Sequence, residues 1–194
     1  MEKRNKSLSI PTKLWMPLLS LVVLAFAGSD LILPDATEMQ VGFVLGSTVY
    51  RLYIVASIGV LISLALRERD ARPVWWALDV IVCTTLLVHI VKTLSALPRP
   101  SGSPSGFPSG HTTFAFALAW LCLEAKPRLA PLWFAVAIAI GWSRVETAKH
   151  FSYQVLVGVI LGTACGWLAT HTEGGVLFPR LLRRRRQRTP SAIA

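Results

Sequence analysis

Charge is scarce in this chain. Only 15% of its 194 residues are Asp, Glu, Lys or Arg, while 53% are hydrophobic and the mean hydropathy is +0.54. An ordinary soluble domain carries about 25% charged residues, so that class is excluded and a bilayer is the implied solvent. Cysteine is scarce too. Cys83, Cys122 and Cys165 stand singly in three different apolar stretches without ligand-type spacing, which excludes a disulfide framework or thiolate metal site and leaves them as packing residues. Acidic residues are the rarest charged class, 10 against 20 basic ones, for a net charge of +10. That excess does not point to nucleic acid, because the cations gather near the chain ends instead of interleaving with aromatics on a soluble platform. There is no internal repeat, and the one low-complexity segment, 98–108, is rich in Pro, Ser and Gly.

What the chain does have is six apolar stretches, at roughly 13–33, 49–66, 73–91, 111–124, 129–142 and 153–170. Most approach the ~17–25 residues a spanning helix needs, and the fourth and fifth are short enough that they borrow flanking residues or lie obliquely. The expected fold is therefore all-α, a polytopic membrane bundle of six transmembrane helices forming one domain over 1–194, with a basic tail from about 180 onward. Lys3, Arg4, Lys6 and Lys13 precede the first stretch, and Arg180, Arg183, Arg184, Arg185, Arg186 and Arg188 follow the last. By the positive-inside rule both termini are cytoplasmic, which requires an even number of spans and places an integral multi-pass protein in the inner membrane. The basic loops at 67–72 and 126–128 then fall inside as well. The arginine tail is expected to be solvated and attracted to membrane lipids. A cleavable signal ending near Ala25-Phe-Ala27-Gly28 is the alternative for the first stretch, disfavoured because the apolar run resumes at Leu31, Ile32 and Leu33. Trp15, Trp75, Trp76, Trp133 and Trp142 lie near stretch ends, where interfacial belts form.

Three short segments carry charge or imidazole where the rest is apolar: Lys92-Thr-Leu-Ser-Ala-Leu-Pro-Arg99-Pro100, Pro108-Ser109-Gly110-His111, and Ser143-Arg144-Val-Glu-Thr-Ala-Lys-His150. Following the topology from a cytoplasmic N-terminus, all three fall on the outer face, so hydropathy and loop charge alone bring them together. Lys92 alone would be a snorkelling end-of-span lysine. Arg99-Pro100 sits in a loop whose prolines limit backbone freedom, suited to a bidentate grip on phosphate. Ser109 is a natural N-cap, Gly110 lets a ligand approach the backbone, and the first-turn amides of the following helix form an anion site.

Together these segments resemble the three-part phosphatase signature of the type 2 phosphatidic acid phosphatase (PAP2) superfamily, which also includes glucose-6-phosphatase and vanadium haloperoxidases. The resemblance covers the region from Lys92 to Gln154; the first ninety residues are similar only in being spans of suitable length. It implies that Lys92, Arg99, Ser109, Gly110 and Arg144 bind the phosphate, that His150 is the nucleophile forming a phosphohistidine, and that His111 protonates the leaving group. It also implies that no metal or other cofactor is needed, since the three cations stabilise the developing charge. The implied substrate is a lipid phosphate or pyrophosphate of the undecaprenyl, phosphatidic acid, phosphatidylglycerol phosphate or lipid A type, hydrolysed at an extracytoplasmic site, with membrane lipids and no nucleic acid as partners.

Four residues after His150, where that family carries an aspartate, this chain has Gln154. On a helix the two share a face. Gln154 can accept the imidazole N–H bond but brings no charge, and a flipped amide would donate and favour the wrong tautomer. In serine proteases the same exchange loses about 10⁴ in rate. Three readings compete: a slow enzyme that tolerates Gln154, a substitute carboxylate from Glu146, or a lipid-phosphate binding protein. Phosphotransfer to another lipid is a further alternative. Gln154→Asp is expected to raise turnover. Elsewhere, Asp79 inside a span must be paired or wet and is structural, His89 is a packed histidine one turn before Lys92, and Lys149 is a solvated loop lysine.

Overall fold

The structure is a computed structural model that describes residues 10–27 and 36–172. The N-terminal cations Lys3, Arg4 and Lys6, the resumed apolar run at 31–33 and the C-terminal arginines lie outside the described residues. Among the described residues there is helix and no strand: α1 (Ile10–Ala27), α2 (Ala36–Val44), α3 (Tyr50–Glu68), α4 (Arg72–Ser95), α5 (Gly110–Ala125), α6 (Ala130–Glu146) and α7 (Ser152–His171). Four helical runs are long and apolar enough to cross a membrane: Met39–Glu68, Arg72–Ser95, Pro127–Glu146 and Ser152–His171. A shorter apolar helix covers Lys13–Ala25.

The two short stretches lengthen by taking in motif residues: α5 includes Gly110 and His111, and α6 includes Ser143, Arg144 and Glu146. The second stretch departs from expectation. Helix begins at Ala36, well ahead of 49, and passes through a π-turn, Leu45–Val49, directly into α3. Gly42, Gly46, Ser47 and Thr48 interrupt the hydropathy there and suggest a connection, yet the Ser47 hydroxyl turns back onto the Phe43 carbonyl at 2.6 Å and needs no solvent.

α5 is the axis of the bundle. Every residue from Ala115 to Leu123 is buried, which is why its sequence is apolar all round and lacks a polar face. α3, α4, α6 and α7 surround it. Their outer faces expose Leu52, Val55, Leu66, Leu86, Leu94 and Ile160, an arrangement that suits lipid and not water. α1 packs on α6 and α7. It is pinned to α5 by a buried ion pair, Lys13 Nζ to Glu124 Oε2 at 2.7 Å.

The tightest pairing, α5 against α7, rests on glycines four residues apart. A Cβ at Gly158 would meet the Ser109 carbonyl oxygen at 3.0 Å, one at Gly162 would collide with the Thr113 carbonyl oxygen, and one at Gly166 would meet Trp120 Cβ at 2.7 Å. Small residues at this spacing let membrane helices bring their backbones together, where dispersion contacts supply the association that lipid does not. The consequence for the site is direct: α7 begins beside the first turn of α5. Trp133 corrects the belt expectation. It is buried against Tyr53, whose hydroxyl donates to the Ala115 and Trp133 carbonyls at 2.9 and 3.4 Å, so its indole packs the core.

Candidate active site

α4 stops where Ala96 takes a left-handed conformation (φ 47°), and the chain turns into the 97–109 loop. The Pro-, Ser- and Gly-rich composition of this loop does not leave it unstructured. Gly106 N–H donates to the Leu97 carbonyl at 2.7 Å, Arg99 N–H to Ser103 at 2.9 Å and Gly102 N–H to Arg99 at 2.9 Å. Gly102 supplies a φ of 79° without penalty, whereas Ser105 adopts 64° at a cost of about 1–2 kcal/mol. Lys92, in the last turn of α4, crosses the loop to donate to the Ser105 carbonyl at 3.0 Å.

Ser109 occupies the N-cap of α5, but its side chain caps no amide. Instead its hydroxyl accepts from the Thr112 hydroxyl at 3.0 Å, and its carbonyl accepts from the Thr113 amide and hydroxyl, each at 2.9 Å. This corrects the expected capping role in a useful direction, since the first-turn amides of Gly110 and His111 are left without side-chain caps and keep their anion-binding capacity. Ser109 N–H donates to the Gln154 carbonyl at 3.0 Å, so the mouth of α5 is fastened to the first turn of α7.

His150 lies in the connection between α6 and α7, and its own amide donates to the Arg144 carbonyl at 2.9 Å. Its ring is nearly inaccessible, with 3% of the residue exposed. Nδ1 faces two oxygens, the Gly106 carbonyl at 2.7 Å and Gln154 Oε1 at 3.1 Å. Two acceptors require that Nδ1 carry the proton, which leaves the Nε2 lone pair free. The feared amide flip is blocked: Oε1 of Gln154 also accepts from Phe151 N–H at 3.3 Å, while Nε2 donates to the Pro98 carbonyl at 2.9 Å and contacts Tyr153 Oη at 3.2 Å. Reversing the amide would set donor against donor at two points and acceptor against acceptor at Pro98. The Nδ1 acceptors are Gly106 and Gln154 and do not include Glu146, whose Cβ lies beside Gly42.

Burial holds the His150 imidazole at about 4, below the ordinary 6.5, with Lys92 and Arg144 pushing the same way and the Gln154 and Gly106 hydrogen bonds opposing. The ring is neutral at pH 7, the state in which Nε2 can attack. Around it the cations Lys92, Arg99 and Arg144 converge, and all three act electrostatically on His111. Arg99 Nε and Arg144 Nε are buried without a hydrogen-bond partner. The ion pairs among the described residues are Lys13–Glu124 and Arg72–Asp70, neither of which touches this cluster. Three cations with open donors make a receptor for a multiply charged oxyanion. No group of three His, Cys, Asp or Glu among the described residues is placed to hold a metal.

All eight predicted residues, Lys92, Arg99, Ser109, Gly110, His111, Arg144, His150 and Gln154, belong to this assembly. Others do not. His89 is exposed on α4, off the buried face that runs through Val80 and Thr84, and neither lines the site nor packs. Lys149 is exposed. Asp79 is fully buried one turn from Cys83 and within its electrostatic range. The residue sequence reasoning missed is Gly106, whose signal was a lone glycine two residues before Pro108, easily absorbed into the low-complexity run. A Cβ there would meet the Pro98 carbonyl at 2.8 Å and Gln154 Nε2 at 2.9 Å.

This assembly defines a class. The PAP2 superfamily profile matches residues 73–176, more than half of the chain, and the chain belongs to that superfamily. It is similar to glucose-6-phosphatase 3 of Mus musculus, 32% identical over 111 residues that make up 50% of this chain and 31% of the relative. It is also similar to the bacitracin transport permease protein BcrC of Bacillus licheniformis, 33% identical over 58 residues, 30% of this chain and 29% of that one. The match thus spans about a third of the length of these curated relatives. In three dimensions the fold is similar to the crystal structure of Aquifex aeolicus LpxE, with a TM-score of 0.50 and 24% identity, covering 86% of this chain and 97% of the other.

Proposed function

We propose that this chain is a membrane phosphatase that removes phosphate from a lipid phosphomonoester or pyrophosphate through a phosphohistidine at His150. The observation that carries the reading is the doubly accepted Nδ1–H of His150, which fixes the tautomer and leaves Nε2 as a neutral nucleophile near Lys92 and two arginines whose Nε donors are open. Nε2 attacks phosphorus, the bond to the leaving oxygen breaks, and His111, protonated once the negative charge of the bound phosphate offsets the surrounding cations, gives that oxygen its proton. Water then attacks the phosphohistidine; His111 takes the proton from it, and phosphate and free His150 are released. Lys92, Arg99, Arg144 and the amides of Gly110 and His111 neutralise the equatorial oxygens throughout, a role that metals serve in other phosphoryl-transfer enzymes.

A lipid leaving group is supported by a cavity of about 300 Å³ between α3, α4 and α5. Its walls include Ile81, Val88 and Phe114, and Tyr50 and Gly110 join it to His111. In this reading six spans place both termini in the cytoplasm and the site at the outer surface of the inner membrane. The whole of 1–194 acts as one domain, with the tail from about 180 resting on anionic lipid.

The test is phosphate release from phosphatidic acid, undecaprenyl pyrophosphate, phosphatidylglycerol phosphate and lipid A by the purified protein in detergent with chelator present, alongside His150→Ala. Chelator-resistant release that disappears in the variant supports the reading. Retained binding of lipid phosphate with no release from any substrate would establish a binding protein instead.

A further inference from the structure

The two histidines are held by different means. His150 is fixed by two hydrogen bonds on one nitrogen. For the His111 ring, no hydrogen bond to protein is found among the described residues; its fixed neighbour is Tyr50, whose ring centroid lies 4.2 Å away with the planes tilted by 40°. Tyr50 precedes the residues that match the PAP2 profile and belongs to none of the three motifs.

Tyr50 arrives there because of the π-turn. Its amide donates to the Leu45 carbonyl, five residues back, so the turn accommodates one extra residue. A continuous α-helix over the same sequence would swing position 50 by about 100°. Such insertions cost hydrogen-bond geometry and cluster at functional positions. The same turn also engages Arg144. Gly46 is buried, its carbonyl lies 3.5 Å from Arg144 Nη1, and a Cβ at position 46 would collide with that nitrogen. One irregular turn therefore braces both a phosphate-binding cation and the proposed acid.

We propose that Tyr50 is a positioning residue for His111, delivered by the Leu45–Val49 turn, and that it orients the imidazole toward the leaving oxygen. The proposal rests on the reading of His111 as general acid. Protonation matters only when the leaving oxygen is strongly basic, which gives a readout that general damage to the fold would not produce. Tyr50→Leu and Tyr50→Phe are compared on phosphatidic acid, whose alkoxide must be protonated, and on p-nitrophenyl phosphate, whose phenolate leaves unaided. Tyr50→Leu is expected to lower kcat on phosphatidic acid by about 100-fold, the scale of a general-acid contribution. The aryl substrate should be essentially unaffected, Tyr50→Phe should restore the rate, and Tyr50→Leu should add nothing in a His111→Ala background. Equal losses on both substrates, a Phe variant as poor as Leu, or an additive loss with His111→Ala would overturn it. Should Tyr50→Leu not fold, Tyr50→Met carries the same comparison. His150→Ala separates the two levels: full turnover in that variant overturns the phosphohistidine reading itself, whatever Tyr50 does.

Discussion

The carbonyl oxygen of Gly106 stands 2.7 Å from Nδ1 of His150, closer than the side-chain oxygen of Gln154 at 3.1 Å. A backbone acceptor cannot flip, ionise or be exchanged by substitution of its own side chain. Tautomer control therefore does not depend on position 154. What the glutamine withholds is the negative charge that would stabilise the imidazolium-like character of the proposed phosphohistidine, so the penalty relative to an aspartate should be smaller than the ~10⁴ seen where tautomer control is lost as well.

Gln154→Asp should accordingly raise kcat and raise KM together. A carboxylate would stabilise the proposed cationic intermediate, but the shorter side chain gives up the amide's 2.9 Å bond to the Pro98 carbonyl, next to Arg99. The pH profile gives a second readout. A carboxylate beside the ring favours its protonated form, so the acid limb of kcat/KM, set by His150 at about 4 in the parent, must move to higher pH. Steady-state kinetics between pH 3.5 and 8 would check both; an unmoved limb would mean that position 154 does not reach the ring.

Gly106→Ala should be costly for activity and mild for folding. The added methyl would crowd the Pro98 carbonyl and Gln154 Nε2, both within 3.0 Å, and shift the carbonyl that holds His150. A loss of about 10²-fold in kcat is expected, the size of effect seen when a group orienting a catalytic residue is displaced. Thermal unfolding in detergent should move little, and a large fall in melting temperature would assign Gly106 to the fold.

Gly162→Leu should do the reverse and cost stability first. Position 162 faces the Thr113 carbonyl and the Ala117 amide, which are backbone and cannot turn aside. Overpacking of this kind costs ~1–3 kcal/mol or more, and here it also parts two helices that hold the site. The expected outcome is a lower unfolding temperature with activity lost in parallel; a variant as stable as the parent would show that α5 and α7 tolerate a wider spacing.

The candidate site was legible to an unusual degree because charge and imidazole stand out where everything else is apolar, and because the expected topology places Lys92, His111 and His150 on one face. The extents of α5 and α6 followed from motif residues extending short apolar stretches. Other features left no such mark. Gly106 acts through its backbone, Gly158, Gly162 and Gly166 through the absence of a side chain, and the Leu45–Val49 turn through a one-residue change of hydrogen-bond register that hydropathy does not register. Gln154 was identified as the anomaly, but its four neighbours at Pro98, His150, Phe151 and Tyr153 are set by the folded loop and cannot be counted from spacing.

The glycine seam also acts as a gauge. His150 and Gln154 hang from the start of α7, the open amides of Gly110 and His111 from the start of α5, and the bond from Ser109 N–H to the Gln154 carbonyl transmits any separation of the two helices to the gap between them. A single methyl placed deep in the seam is thus a spacer inserted far from the proposed chemistry, and the width of the candidate site is calibrated by residues that never line it.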